Sequence, residues 1–377
     1  MHRPWVRVLA WVVAAIPLAG AAALAAAPVL GLQHANPVGQ LLAARGLIAL
    51  ISAAAALLFG IWFVAAGFRR RRALRSINPR SRAKNKPIPP RFPTISLTLA
   101  LAAAASAGLH LGVLAYRGLD RDALATLEDL AGQPENTGET TIVALNTQWA
   151  NVPPDVVASL VTAAQADVVF LPETPIIDAI HVRDLLGVAG REFQVFPERK
   201  GDSRDTSLLV ANDFGEYRSG GHPVIGASRA EPVGASGGAA TGPTLTAVHA
   251  YPPPTPWPLS WLYGEPREAA DASRDRWVTE VRDSLATCTG QPWGIIGGDF
   301  NATRDHISGM PDCGYVDVLV QTGAGGWGTW PDEVHPLLGA PIDRILVDPA
   351  HWSPVDSWLV ELPGTDHRAV VARVAAQ

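Results

Sequence analysis

Not one aspartate or glutamate occurs in residues 1–117, whereas the remainder of the 377-residue chain carries all 35. Within the acid-free part, Val8 to Leu30, Leu41 to Phe68 and Ile95 to Tyr116 are apolar stretches. Each is long enough to cross a hydrocarbon core of about 30 Å, which takes roughly 20 residues. The sequence therefore predicts a membrane domain over residues 1–117 with three transmembrane helices. The first stretch also fits a signal peptide, because a basic Met1–Arg7 precedes it and small residues fill Ala21 to Ala27. Arg45, near the start of the second, is placed to snorkel toward the interface.

Charge orients these spans. The loop 69–91 holds ten basic residues and no acidic one, whereas the first loop, Gly31 to Gln40, is uncharged. By the positive-inside rule the N-terminus and the basic loop are cytoplasmic, so everything after Tyr116 is extracytoplasmic. Cleavage of the first stretch leaves that orientation unchanged. The juxtamembrane position of the basic loop also suits contact with anionic lipid in the bilayer better than nucleic acid. Beyond residue 117 the balance inverts, with 16 of the 30 basic residues against all 35 acidic ones, a formal charge of −19. Affinity for DNA comes largely from Lys and Arg neutralising phosphates, so a generic nuclease is disfavoured.

Residues 118–140 read as an amphipathic start followed by a polar linker, and a globular domain is expected over 141–377. Its about 240 residues can bury a sizeable core. Apolar runs with strand character alternate with helical spacing at Asp155 to Gln165 and Ala269 to Ala286, an α/β pattern. Polar residues stand at the strand ends: Asn146 after Thr141–Leu145, Glu173 after Asp167–Pro172, His249 after Ala247-Val248, and Asp299 and Asn301 after Trp293–Gly298. Further on come Asp343 within Pro341–Ile345, then Asp366 and His367 before Ala369–Val374. Gly297-Gly298 would let the chain turn. Alternate residues of an extended segment point the same way, so Asp299 and Asn301 offer a carboxylate and an amide together, which suits a hard cation and a phosphate oxygen. Such a triplet also fits simple turn chemistry. Cys288 and Cys313 are the only cysteines, compatible with one disulfide around the Asp299–Asn301 loop or with two buried thiols.

In this order, the strand-end motifs of residues 140–377 resemble those of the endonuclease/exonuclease/phosphatase superfamily of divalent-metal phosphoesterases. The resemblance implies an α/β DNase I-like fold, a four-layer sandwich of two β-sheets flanked by helices, and a Mg²⁺ or Mn²⁺ cofactor. By the same resemblance Glu173 binds the metal with help from Asn146, and Asp366 is a further metal or histidine partner. Asp343 would bond the ring of His367, which acts as the base or as a cation facing the phosphate. Asp299 would orient water or protonate the leaving group, Asn301 would donate to a phosphoryl oxygen, and His249 to the scissile phosphate. Two departures stand out: Pro172 where relatives commonly have Gln, and Val-His-Ala-Tyr around His249 where they have Thr-His-Leu. The other histidines, His306 among them, lie in no motif and read as ordinary residues. Tyr251 to Tyr263, which contains five prolines, reads either as a lip that meets lipid or as a rigid loop whose tryptophans fill the core. Gly325–Pro331 is similar to a Thr-Trp-Pro segment that forms a wall of the site in relatives.

The sequence thus describes a membrane-anchored, outward-facing phosphoesterase that attacks a phosphomonoester, diphosphate or phosphodiester in line with water. Three spans followed by an external domain also resemble the VanJ-type teicoplanin-resistance membrane proteins, which points to a lipid-linked envelope precursor as substrate. An extracytoplasmic nuclease and a non-catalytic envelope binding module are the alternatives.

Overall fold

The computed structural model describes residues 19–75, 93–134, 138–197, 205–221, 223–234, 242–291, 293–311 and 313–377. Two compact units are formed. One takes the chain up to Ala27 together with Arg45–Val113, and the other joins Pro28–Ala44 to Leu114–Gln377.

Arg45–Arg72, in the first unit, and Ile95–Arg117, which begins in it, are long and apolar enough to cross a membrane. Among the described residues there are two such helices, not the three expected. The stretch from Val8 lies partly outside the described residues, and the described part is helical only over 19–26 before turning at 27–31. The second stretch does not start at Leu41. A short helix, Val38–Ala43, ends first, and a new helix begins at Arg45 and runs to Arg75, taking in Arg69–Arg72, which were expected in the basic loop. The rest of that loop, 76–92, lies outside the described residues. Arg45 does not snorkel. It is buried, with Nη1 3.2 Å from Nδ1 of His110.

The second unit is built on two sheets. The first has the order β1-β12-β13-β2-β3-β5-β4, from β1 (Leu124–Ala125), β2 (Glu139–Ala144), β3 (Val168–Leu171), β4 (Phe193–Pro197), β5 (Ser207–Ala211), β12 (Trp352–Val360) and β13 (Ala369–Ala376). The second runs β10-β11-β9-β8-β7-β6, from β6 (Tyr217–Gly221), β7 (Ala227–Pro232), β8 (Leu245–His249), β9 (Ile295–Asp299), β10 (Val316–Asp317) and β11 (Asp343–Val347). Alternation sorts the side chains into layers. Ile142, Ala144, Val168 and Phe170 face the second sheet and meet Leu245, Ile295 and Ile345. Their neighbours Val143, Val169 and Leu171 face outward, under helices Pro154–Ala164 and Ile176–Val188. On the other side, Trp277, Val281 and Leu285 of helix Arg267–Ala286 cover Val248, Ile296 and Phe300. Helix, sheet, sheet and helix make the four layers.

Two local expectations change. Residues 118–140 are not simply a linker, because Leu124–Ala125 pairs in parallel with Leu359–Val360 and a capped helix, Leu127–Ala131, follows. Gly297 and Gly298 lie inside β9 rather than in a turn. A Cβ on Gly297 would come within 2.3 Å of Phe170 across the sandwich, and one on Gly298, at φ +134, within 2.1 Å of the Val248 carbonyl. Close approach, rather than a bend, explains the pair.

Candidate active site

Strand direction brings the motifs to one end of the sandwich. β2 and β3 are parallel and end toward Asn146 and Glu173, while β13 is antiparallel to β2 and so starts beside them, just after His367. In the second sheet His249, Asp299 and Asp343 are direct register partners on three adjacent strands. Six of the sequence-predicted residues therefore come from six strand ends, and Asn301 and Asp366 lie on the loops beside them. All eight are brought into one neighbourhood.

The contacts assign positions. Asn146 Nδ2 donates to Glu173 Oε1 and to Asp299 Oδ2, both at 3.1 Å, bridging the two sheets. Its Oδ1 accepts from the Gln148 amide. The backbone NH of Trp149 donates to Glu173 Oε2 at 3.1 Å. Asn301, at φ +48, donates its backbone NH to Asp299 Oδ1 at 2.7 Å and its Nδ2 to Asp299 Oδ2 and the Ala250 carbonyl. As observed, Asn301 holds Asp299 rather than pointing free at a substrate. His367 Nδ1 lies 2.9 Å from Asp343 Oδ2, which turns Nε2 toward Asp299 at 4.0 Å and Asp366 at 3.8 Å. His249 Nε2 stands 3.4 Å from Glu173 Oε1 and 3.8 Å from Asp299 Oδ2, the acidic neighbours that its motif alone did not identify.

Burial tunes these groups. It pushes Asp299 up to about 7, with the neighbouring Asp343 charge adding to the rise and His367 opposing it. Glu173 is raised by burial, against the Asn146 hydrogen bond and the His367 charge, and with the Asp366 charge adding. For His367 burial works downward, but the charge and hydrogen bond of Asp343, together with Asp299 and Asp366, outweigh it and push the imidazole up to about 10. Burial thus favours the protonated form of the carboxyls, while their proximity holds the histidine cationic.

Clustered oxygen donors short of positive charge fit a hard divalent cation. Glu173, Asp299 and Asp366 line the cleft, and Glu173 and Asp366 are the less buried of the three. Asp299, Asp343 and His367 also offer ligand atoms within 4.8 Å of one another. That trio mixes a nitrogen with two oxygens, and its histidine nitrogen Nδ1 is already engaged by Asp343, so it fits a hydrogen-bonded pair better than a site for a hard cation.

The cleft itself has a volume of about 550 Å³. Its lining combines this polar cluster with apolar side chains, Ala43, Pro252, Pro253, Ala340 and Ile342, and with Trp149 and Trp330. Trp330 Nε1 donates to Asp366 Oδ2 at 2.8 Å, and Thr329 Oγ1 accepts from the Asp343 NH, so the Thr329-Trp330 segment is the wall expected of it. Arg276 is the arginine of the cleft lining, and it is paired with Glu280 at 2.9 Å and lies over the Tyr251 ring. Nothing in the helical pattern of Arg267–Ala286 distinguished it beforehand.

A second component was not foreseen. Residues 28–44, taken from sequence as a bare loop and the start of a span, strap across this unit. Gln33 Nε2 donates to the Ser308 carbonyl, His34 Nε2 to the His306 carbonyl, Asn36 Nδ2 to Thr255 and Gln40 Nε2 to Pro254. His306 returns a bond from Nε2 to the Gly39 carbonyl at 2.9 Å while its Nδ1 accepts from the Thr303 NH. Trp277 lies edge-on to both His34 and His306, and its Nε1 donates to the Asn301 carbonyl. His306 is therefore no ordinary residue, since it links the strap to the loop of Asp299 and Asn301. Cys288 and Cys313 are joined as a disulfide around that loop, with Cα atoms 5.8 Å apart.

Residues 143–367 match the model of the Endonuclease/Exonuclease/phosphatase family, and the chain belongs to that family. Its members are phosphoester hydrolases that use divalent metals. Similar solved structures include truncated TDP2 from Caenorhabditis elegans (17% identity, covering 63% of this chain and 98% of that one, TM-score 0.43). D. rerio TDP2 in complex with a single-strand DNA product is similar at 15% identity over 63% of this chain and 99% of that one, TM-score 0.46. An endonuclease/exonuclease/phosphatase from Beutenbergia cavernae is similar at 14% over 64% and 72%, TM-score 0.44. No curated protein matches the chain.

Proposed function

We propose that this protein is a membrane-anchored, Mg²⁺- or Mn²⁺-dependent phosphoesterase that hydrolyses a lipid-borne phosphate ester or diphosphate outside the cytoplasm. The observation that carries the reading is the mixed lining of the cleft. Acids and histidines share it with apolar residues, among them Ala43, two residues before the helix that starts at Arg45. A headgroup phosphate fits the polar groups and the carbons next to it the apolar ones. A nuclease would need a basic groove along a strand. The cleft lining offers Arg276, already paired with Glu280, in a region of formal charge −19.

Glu173 and Asp366 are the residues that would hold the cation, with Asn146 steadying Glu173 through Nδ2, and the bound cation would polarise the phosphoryl oxygens. The chain's own residues do the rest. Asp299, fixed by Asn301 and Asn146, is positioned to take the proton of the attacking water or to return it to the leaving oxygen. His367, held by Asp343, offers a cationic N–H to the charge that builds on phosphorus oxygens, and His249 a second donor. This arrangement favours the cation role for His367 over the base. In phosphate-release assays of the full-length protein, excess EDTA should abolish turnover and added Mg²⁺ or Mn²⁺ restore it, with Glu173→Gln demanding more metal. Full turnover in EDTA would overturn the proposal.

The strap supports the proposed topology. Residues 28–44 and 114–377 form one unit, so a membrane chain must cross an even number of times between them. Arg45–Arg72 and Ile95–Arg117 supply two crossings, and the basic loop then faces the cytoplasm. The disulfide suits an oxidising compartment. In intact spheroplasts, protease should remove a C-terminal epitope and spare one inserted at residue 80. The opposite pattern would place the catalytic unit inside.

A further inference from the structure

The loop that walls the cleft at Tyr251–Pro253 continues into a spur, residues 254–263. Its tryptophans do not fill the core, the inward-facing option that the sequence left open. Trp257 is 62% exposed, Trp261 71% and Tyr263 78%, with Leu259 and Leu262 exposed between them. Prolines at 252, 253, 254, 256 and 258 stiffen the chain, so these side chains are held outward. No charged residue occurs from Ala250 to Tyr263, or in the strap from Pro28 to Ala44, although the unit around them is strongly acidic.

The spur is fastened to the strap. Asn36 accepts from the Trp257 NH at 2.7 Å through Oδ1 and donates to the Thr255 carbonyl at 3.0 Å through Nδ2, and Gln40 holds the Pro254 carbonyl at 2.7 Å. Nine residues after Asn36 the chain enters the apolar helix at Arg45. Exposed Val29, Leu30 and Leu32 lie on the same strap. Tryptophan and tyrosine, each an apolar body with a polar tip, belong at the boundary between headgroups and hydrocarbon. An acidic unit is repelled by an anionic bilayer, and a neutral aromatic face is where it can approach one.

We propose that the spur 254–263 is a lipid-interface surface, seated among the headgroups of the same bilayer that holds the anchor, so that the cleft next to it opens onto lipid rather than onto bulk water. The proposal rests on the membrane reading above and deepens it. It makes the spur a determinant of substrate presentation, distinct from the groups that perform the hydrolysis.

The chain's two cysteines are joined to each other, so an introduced cysteine is the sole free thiol. Full-length Leu262→Cys, and Val188→Cys as the control at an 89% exposed site, are nitroxide-labelled in nanodiscs of phosphatidylethanolamine and phosphatidylglycerol. The label at 262 should be accessible to oxygen and shielded from a water-soluble nickel chelate, while the label at 188 is open to nickel. Equal nickel access at the two sites overturns the proposal. This depth measurement needs no substrate, so its outcome is independent of whether the enzyme hydrolyses lipid phosphates. In kinetics, the double variant Trp257→Ser/Trp261→Ser should lose about tenfold in turnover of a bilayer-embedded phosphorylated lipid, because the still-anchored cleft is no longer seated against the bilayer. It should keep hydrolysis of a short-chain, water-soluble phosphate ester. Equal loss on both substrates, or none on either, contradicts a presenting role.

Discussion

The strand-end rim and the strap are both uncommon pieces of this molecule, but they are built in opposite ways. Rim residues are short polar side chains fixed to rigid strands by neighbours a few ångströms away, such as Asp343 to His367 and Asn301 to Asp299. The strap is a neutral segment whose partners lie more than 200 residues away in sequence, and its Gln33, His34, Asn36 and Gln40 side chains donate to main-chain carbonyls. Chemistry is concentrated in the first and placement in the second. Substitutions should separate the two.

The largest effect is expected at the rim. His367→Ala should lower kcat by about 10³-fold and His249→Ala by about 10²-fold, because one is a charged group engaged by an acid and the other a single donor. Circular dichroism and melting temperature should stay near those of the unaltered protein. If His249→Ala proved the more damaging, the roles assigned to the two histidines would have to be exchanged.

A smaller effect, on stability rather than turnover, is expected at the strap. Burial pushes His306 down to about 4, with Gly39 and Asp305 opposing and His34 and Arg344 adding to the fall. The folded value lies below the ordinary value of about 6.5, so the folded state prefers the neutral ring. That contribution is complete above about pH 6.5 and is lost as pH falls toward 4, on the order of 3 kcal/mol in all. Melting curves of the full-length protein between pH 7 and 4.5 should therefore steepen this loss relative to His306→Gln, whose amide can replace both bonds. Parallel pH dependence of the two proteins would remove His306 from the account, and a kcat loss like that of His367→Ala would erase the distinction between strap and rim.

What could be read from the sequence divides along the same line. The rim was legible because each residue sits at the end of a short apolar strand, where local pattern and chain order carry the information. Roles were less so: Asn301 was expected to face phosphate and instead holds Asp299, and Asn146 presents its amide nitrogen to both acids. The strap was illegible because neutral residues such as Gln33 and Gln40 announce nothing until main-chain carbonyls at 308 and 254 come into range. Arg276 was hidden for the same reason. Gly297 was misread because a glycine pair suggests a turn, whereas the constraint came from Phe170 on the opposite sheet. In the membrane part, hydropathy ran two segments together across Ala44, where a short helix ends and a long one starts.

The central claim is that rim and strap together make an enzyme for phosphate carried on a membrane lipid. The most direct test is kcat/KM of the full-length protein in mixed micelles at equal Mg²⁺, measured side by side for a polyprenyl diphosphate, a phospholipid and duplex DNA. The account predicts a higher value for at least one of the lipids than for DNA, and a higher value for DNA would contradict it.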